Sequence, residues 1–208
     1  MIEYNTTVIP ENPERRKEAL ALLTRVFGVE EVALEEKQLG GFETAYNTDI
    51  LFTAQEDGIM IGTIYLTIPK SFPQIAGASG MCTAPEARGR GAGKELFRMM
   101  VEEFDRRNVE ASFLGTSNPF AARLYSEFGF SFITGSNVMA RRTGKPLYDF
   151  YKTFYTTSAV TYQKGNASFR IPIIPLVLMR GRDMLMDANT GIFSSESITQ
   201  PSCMGLFP

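Results

Sequence analysis

Three glycines at alternate positions, Gly89, Gly91 and Gly93, are interleaved with Arg88, Arg90 and Lys94 in a chain of 208 residues. The stretch around them runs from Met81 to Lys94 and meets a segment in which Leu96, Met100 and Phe104 recur every four residues. An apolar segment that breaks at Pro85, a glycine turn and a helical period read as strand, loop and helix. Glycine admits positive φ and lets backbone come close to a ligand, while the first turn of a helix leaves its amide N–H groups unpaired. The chemistry such a turn can do is to hold an anion, above all a phosphate.

Counting positions decides which phosphate turns it can be. A Walker A loop requires glycine five residues before its Gly-Lys and Ser or Thr after it; Arg88 and Glu95 stand there, so the ligand for magnesium is missing. A dinucleotide fingerprint would put glycine at 89, 91 and 94, and position 94 is lysine with no βαβ repeat around it. What remains is Arg-x-x-Gly-x-Gly at Arg88, Gly91 and Gly93, preceded by Thr83-Ala-Pro-Glu. A second run, Asn118-Pro-Phe-Ala-Ala-Arg-Leu-Tyr-Ser-Glu-Phe-Gly-Phe, follows after one helix and one short strand.

These two motifs, in this order and at this separation, resemble the pyrophosphate loop and the Asn-x-x-Ala-x-x-Leu-Tyr-x-x-x-Gly-Phe signature of the GNAT N-acetyltransferases. The resemblance covers residues 2 to 142 and leaves the last third of the chain unmatched. It implies an α+β fold in three layers, a central mixed and mostly antiparallel sheet flanked by helices, with acetyl-CoA as acetyl donor. It also implies that backbone amides of Arg88, Gly89, Arg90, Gly91, Ala92, Gly93 and Lys94 hold the pyrophosphate. The strand segment Met81, Cys82 and Thr83 would offer N–H groups to the pantetheine and the acetyl carbonyl. Tyr125 would protonate the departing thiolate, with simple packing as the alternative, and Asn118 would contact the pantetheine, cap its own helix, or both. Arg88, Arg90 and Lys94 add charge for the phosphates or serve only the surface. Many family members place a carboxylate base on the central strand, but no acid occurs between Gly58 and Pro85. Glu35, Glu43, Asp49, the C-terminal carboxylate of Pro208 and a water chain all stay open for that role.

Histidine is absent, which excludes a His-based triad, a His metal site and a His general base. Cys82 and Cys203 are too few and too far apart for a disulfide framework or a zinc site. Cys82 as an acyl-carrying nucleophile would lack a histidine partner, so a packed thiol is the simpler reading. The longest apolar run, 171 to 179, is interrupted by Pro172 and Pro175 and falls short of the ~20 residues of a membrane span. With no basic and apolar leader after Met1, the expectation is a cytoplasmic protein without a membrane partner. A pI near 5.4 and the lack of a basic stripe argue against nucleic acid. Charge is unevenly spread: residues 1 to 60 carry twelve carboxylates against five Lys and Arg, net −7, whereas 61 to 150 carry eight against eleven, net +3. The positive part is the one that would face a polyanionic coenzyme. The negative part is where the family builds its acceptor site, although an acidic solvated surface explains the same charge.

The elements that must position these residues follow from local signals. Glu3 to Ile9 reads as a first strand, and Asn12-Pro13-Glu14 opens a helix that Gly28 stops. Val32 to Leu39 is a second short helix ended by Gly40-Gly41; in the family it lies over the acceptor site, near Glu35, Glu36, Glu43 and Asp49. Ile50 to Gln55 and Ile59 to Ile68 form a hairpin through Glu56-Asp57-Gly58. Ala76 to Thr83 is a central strand whose small residues predict something packed closely upon it. Gly91 to Arg107 is the amphipathic helix after the glycine turn, Ala111 to Leu114 a strand, Pro119 to Glu127 a helix, and Phe130 to Ala140 one or two strands. Residues 1 to 145 thus read as the acetyltransferase domain and 146 to 208 as a β-rich extension or partial second domain. Strands are expected at Ser158 to Gln163, Phe169 to Met179 and Gly191 to Ser194. Tyr148, Tyr151 and Tyr155 at helical spacing read as a core or homodimer face. The function expected is direct transfer of acetyl to a primary amine of a small molecule or peptide. The rival from another class is a non-catalytic acyl-CoA-binding regulatory module.

Overall fold

The structure is a computed structural model that describes residues 1–29, 32–133, 137–144, 146, 149–150, 154 and 165–174, together with two short strands at 186–187 and 192–193. Alternating and β-branched segments give the strands β1 (Ile2–Val8), β2 (Asn47–Glu56), β3 (Ile59–Pro69), β4 (Ile75–Thr83), β5 (Ala111–Gly115), β6 (Ser131–Phe132) and β7 (Val138–Arg142). The helices are α1 (Pro13–Phe27), α2 (Ala33–Leu39), α3 (Ala92–Arg106) and α4 (Pro119–Glu127). Their ends match the local chemistry. Asn12 Oδ1 accepts from Arg15 N at 3.1 Å with Pro13 in the first turn, and Asn118 Oδ1 accepts from Phe120 N at 2.9 Å. Asp57 and Gly58 both take positive φ, 50° and 77°, which is the two-residue turn that suits the twist of a hairpin.

The seven strands form one sheet in the order β1-β2-β3-β4-β5-β7-β6, antiparallel throughout except for the parallel pair β4-β5. Helices cover both faces. Gln38 of α2 donates to Thr67 and Asp49, which are cross-strand partners and share one face. Arg16 of α1 donates to the Leu39 carbonyl and ties the first helix to the second. On the opposite face, a Cβ added to Gly62 would stand 2.9 Å from Leu96 Cδ1, so α3 lies directly on β3 there. The buried side chains of α3, Leu96, Phe97, Met100 and Phe104, join the main core with Ile50, Phe52, Ile64 and Leu66.

A second, smaller core lies over β4, β5 and β7. Ile75, Ala111, Phe113, Val138 and Ala140 are covered by Phe150 and Ile171 from beyond the motif-bearing region. The small residues of β4 are explained at two points: a Cβ on Gly77 would meet Ile171 Cδ1 at 2.3 Å, and one on Gly80 would meet the Tyr65 ring at 2.1 Å.

The extension corrects one expectation. Over Phe169 to Ile174 the chain is not a strand: Ala167–Phe169 is a 3-10 turn and a further helical turn follows at 173–174. Asn166 caps the turn, accepting from Ser168 N at 2.9 Å and Ser168 Oγ at 2.6 Å. Pro172 has no N–H to give a ladder, and Ile171 is spent as an anchor on Gly77 rather than as one residue of an alternating strand. Further on, β8 (Met186–Asp187) and β9 (Ile192–Phe193) pair as a two-stranded ribbon, the latter inside the span expected at 191 to 194. The strand expected at 158 to 163, Tyr148, Tyr151, Tyr155, Cys203 and Pro208 lie outside the described residues.

Candidate active site

Register breaks open the candidate site. Along β3 and β4, Thr63 faces Cys82 and Tyr65 faces Ser79, so Gly80 and Met81 together oppose Ile64 as a bulge. Gly80 takes φ 60°, where only glycine sits without strain, and the Tyr65 ring fills the space a side chain would need. Beyond the bulge, β4 has also lost its other neighbour. It pairs with β5 only from Ile75 to Gly77, opposite Ala111 to Phe113, while Leu114 and Gly115 pair with β7 alone. The two central strands therefore part, and residues 78 to 81 are half-buried rather than sealed.

Into this opening α3 presents its N-terminus. Gly91 is the N-cap at φ 86° and supplies no side-chain cap, so the first-turn amides of Ala92, Gly93 and Lys94 have no capping partner from it. No atom lies within 4 Å of a Cβ built on Gly89 or Gly91, which leaves room in front of the turn. Gly93 has a different duty. Its built Cβ would be 3.0 Å from Thr83 Oγ1 and 3.4 Å from Met81 Cε, so its bareness lets the first turn of α3 rest on the end of β4. Met81, Thr83 and the glycine turn are thereby brought into contact. The cations of the loop are engaged on the protein itself: Arg88 Nε donates to Thr83 O at 3.3 Å, Arg90 pairs with Glu56, and Lys94 pairs with Glu127 at 2.7 Å. The two side-chain pairs are exposed, of the kind worth at most ~1 kcal/mol, so either cation can exchange its partner for a stronger anion.

Tyr125 of α4 stacks on Phe97 of α3 with centroids 4.6 Å apart and retains 7% of its surface. Burial alone pushes its phenol up to about 12, so it holds its proton at any working pH. Asn118 spends its side-chain oxygen on capping α4. Cys82 is buried beside Thr63, with Sγ 3.3 Å from Oγ1, and burial pushes the thiol up; a packed thiol, not a nucleophile, fits this environment.

A buried polar cluster occupies the opposite face of the sheet, beneath α2. Asp49 is fully buried, its Oδ1 accepting from Thr67 Oγ1 at 2.6 Å and Gln38 Nε2 at 3.3 Å. Glu43 accepts from Asn47 Nδ2 at 3.2 Å and forms an ion pair with Arg170, itself 3% exposed. Burial is the leading cause that raises both carboxyls, while the Arg170 charge pulls both down. Glu35 is half-buried and its charge acts on Tyr65, whose ring covers Gly80; Glu36 is exposed. Of the acids expected on this side, then, Glu35, Glu43 and Asp49 gather and Glu36 does not. Gln38, Asn47, Thr67 and Arg170 were not singled out by the sequence, since single polar residues in apolar strands and one arginine in a distant segment carry no local signal. Among the described residues no group of three His, Cys, Asp or Glu is placed to hold a metal ion, and no helix is long and apolar enough to cross a membrane.

A family model described as the acetyltransferase (GNAT) family matches residues 17–130, more than half of the chain. The chain belongs to the GNAT acetyltransferase family. Solved structures with the same fold include Escherichia coli ElaA, at 18% identity and a TM-score of 0.57 over 68% of this chain and 100% of that one. An acyl-CoA N-acyltransferase from Pseudomonas aeruginosa has 19% identity and a TM-score of 0.55, covering 68% and 99%. YhbS from E. coli, solved with CoA bound, has 20% identity and a TM-score of 0.53, covering 68% and 82%. No curated protein matches the sequence. As a GNAT protein the chain is an acyltransferase whose donor is an acyl-coenzyme A.

Proposed function

We propose that this GNAT protein transfers acetyl from acetyl-CoA directly to a primary amine of a small molecule or peptide. The observation that carries the reading is the meeting of the uncapped α3 turn with the bulged end of β4, through Gly93 resting on Thr83 and Met81, where β4 has left β5. A pyrophosphate in front of the turn would take the amides of Arg88 to Lys94 and the helix dipole. The thioester end would then lie along Met81 to Thr83, whose backbone, released from one neighbouring strand, supplies donors for a carbonyl that gains negative charge. Tyr125, fully protonated, is the donor for the thiolate as the C–S bond breaks. Asn118 contributes by fixing the start of α4 and with it the position of Tyr125. The acceptor approaches from the side of Glu35, Glu43 and Asp49, in the third of the chain with net charge −7, which suits an amine that is cationic in solution. Direct transfer is favoured because the one described cysteine near the thioester path is buried and raised.

The test is thiol release from acetyl-CoA across a panel of mono- and diamines, amino acids and peptides, with the acetylated product identified by mass. Turnover with one class of amine, with an acceptor KM that rises with ionic strength, is the expected result. Tight coenzyme binding without turnover on any amine would replace this reading with that of a non-catalytic acyl-CoA-binding module.

A further inference from the structure

The segment after the motif-bearing region does more than cover apolar surface. It is held at both sides of Arg170: Ile171 is seated on Gly77 of β4, and the Ala167 carbonyl accepts from Asn47 Nδ2 at 3.3 Å. Phe169 packs on Phe72 at 5.6 Å between ring centroids, and Phe72 on Phe154 at 5.9 Å. Between these anchors the Arg170 guanidinium is carried into the cluster beneath α2 and pairs with Glu43 across 127 residues of sequence. Glu43 and Asp49 lie at 9% and 0% exposure, where an isolated carboxylate is costly.

We propose that Arg170 is a positioning residue of the acceptor side, which keeps the buried carboxylates Glu43 and Asp49 charged opposite the incoming amine. The proposal rests on the acceptor reading given above. Its physics is local. Without a nearby cation, two carboxyls buried within reach of each other take up a proton instead of keeping two charges. The other charged or titratable groups that face them among the described residues are few. Glu35 comes from α2, Tyr65 and Lys70 from β3 and the turn after it, and of these only Lys70 is a cation, with Nζ committed to the Thr44 carbonyl at 2.6 Å. Arg170 is the buried cation of the group, so the charge state of the acceptor side is set from a segment remote in sequence.

The experiment follows kcat/KM for the accepted amine against pH in the parent, Arg170→Lys, Arg170→Gln and Asp49→Asn, with acetyl-CoA affinity measured beside it. The expected result is an acid limb moved to higher pH in Arg170→Gln, a loss of about three-fold at a pH below the midpoint for a shift of half a unit. Arg170→Lys restores the parent limb, Asp49→Asn alters it, and acetyl-CoA affinity stays within two-fold or so in both Arg170 variants. An acid limb that superimposes in Arg170→Gln and the parent, or one left intact by Asp49→Asn, overturns the proposal. So does an Arg170→Lys variant as impaired as Arg170→Gln, since shape and not charge would then matter. Thermal melting between pH 4 and 8 gives the same information without turnover, and so separates failure of this idea from failure of the acceptor reading. A carboxyl raised in the folded state lends stability below its unfolded pKa and loses it as pH rises through the folded value. Arg170→Gln must carry that loss to higher pH than the parent; coincident melting profiles count against Arg170 whatever the amine.

Discussion

Tyr125 is the buried side chain to which the proposed mechanism gives the proton transfer. As the proposed donor, its phenol, pushed up to about 12, would give its proton to a thiolate whose reference pKa is about 8.5, a transfer uphill by ~5 kcal/mol if the sulfur kept its aqueous value. In the proposed mechanism the same burial that raises the phenol would raise the thiol, and the gap would close only when both share the dry site as the C–S bond lengthens. Tyr125→Phe keeps the ring on Phe97 and removes only the hydroxyl. We expect acetyl-CoA affinity to be nearly unchanged and kcat to fall by roughly 10²- to 10⁴-fold. Because burial lifts the phenol, kcat should show no decline from its ionisation below pH ~11. A Phe variant within a few-fold of the parent at saturating acetyl-CoA would take Tyr125 out of the reaction. A basic limb near the ordinary tyrosine value that vanishes with the hydroxyl would show that water reaches the phenol.

In the proposed function coenzyme binding falls to the α3 turn, and its glycines divide the work. Gly93 permits contact with β4, whereas Gly91 faces open space at φ 86°. In Gly91→Glu the added Cβ meets no atom within 4 Å, and the strain of a left-handed glutamate, on the order of 1–2 kcal/mol, weighs on free and bound protein alike. Affinity therefore responds to charge: a carboxylate some 4 Å from a phosphate is unfavourable by ~1 kcal/mol in water and ~4 at an effective dielectric near 20. Calorimetry should show acetyl-CoA binding weakened by about ten-fold or more, and equal affinity would mean that the phosphates lie elsewhere. This element was legible in the sequence because its signals are local: the glycines, the helical period of Leu96, Met100 and Phe104, and the Asp57-Gly58 turn each act within a few residues. What stayed hidden is non-local. That the bulge falls at Gly80 and Met81 depends on register against β3, and the roles of Gly62 and Gly93 depend on what α3 packs against. An eleven-residue stretch from Phe169, apolar except for Arg170, reads as strand from composition, yet its start is a capped turn because Ile171 finds a glycine across space and Pro172 cannot join a ladder.

At the scale of the whole molecule the question is whether the segment around Arg170 belongs to the same cooperative unit as the sheet. Its contacts argue that it does. Ile171 fills the space a side chain on Gly77 would take, lies in the cluster with Ile75 and Phe113, and adjoins an arginine buried against a residue of the α2-β2 connection. Phe113 sits on β5, so the segment also supports the strand that parts from β4 to open the site. Truncating a buried isoleucine to alanine removes its transfer free energy and leaves a cavity, together ~2–5 kcal/mol. In a chain of about this size each 1 kcal/mol moves Tm by roughly 2–4 °C. If the segment and the sheet unfold together, Ile171→Ala should lower a single melting transition by about 5–15 °C and speed proteolysis across the whole chain. If the segment is a separate unit, the same variant leaves the main transition in place. Protease then removes the last fifty or so residues while the remainder stays folded and binds acetyl-CoA. A single lowered transition would make the extension part of the catalytic fold and would place Arg170 where only a fixed backbone can hold it.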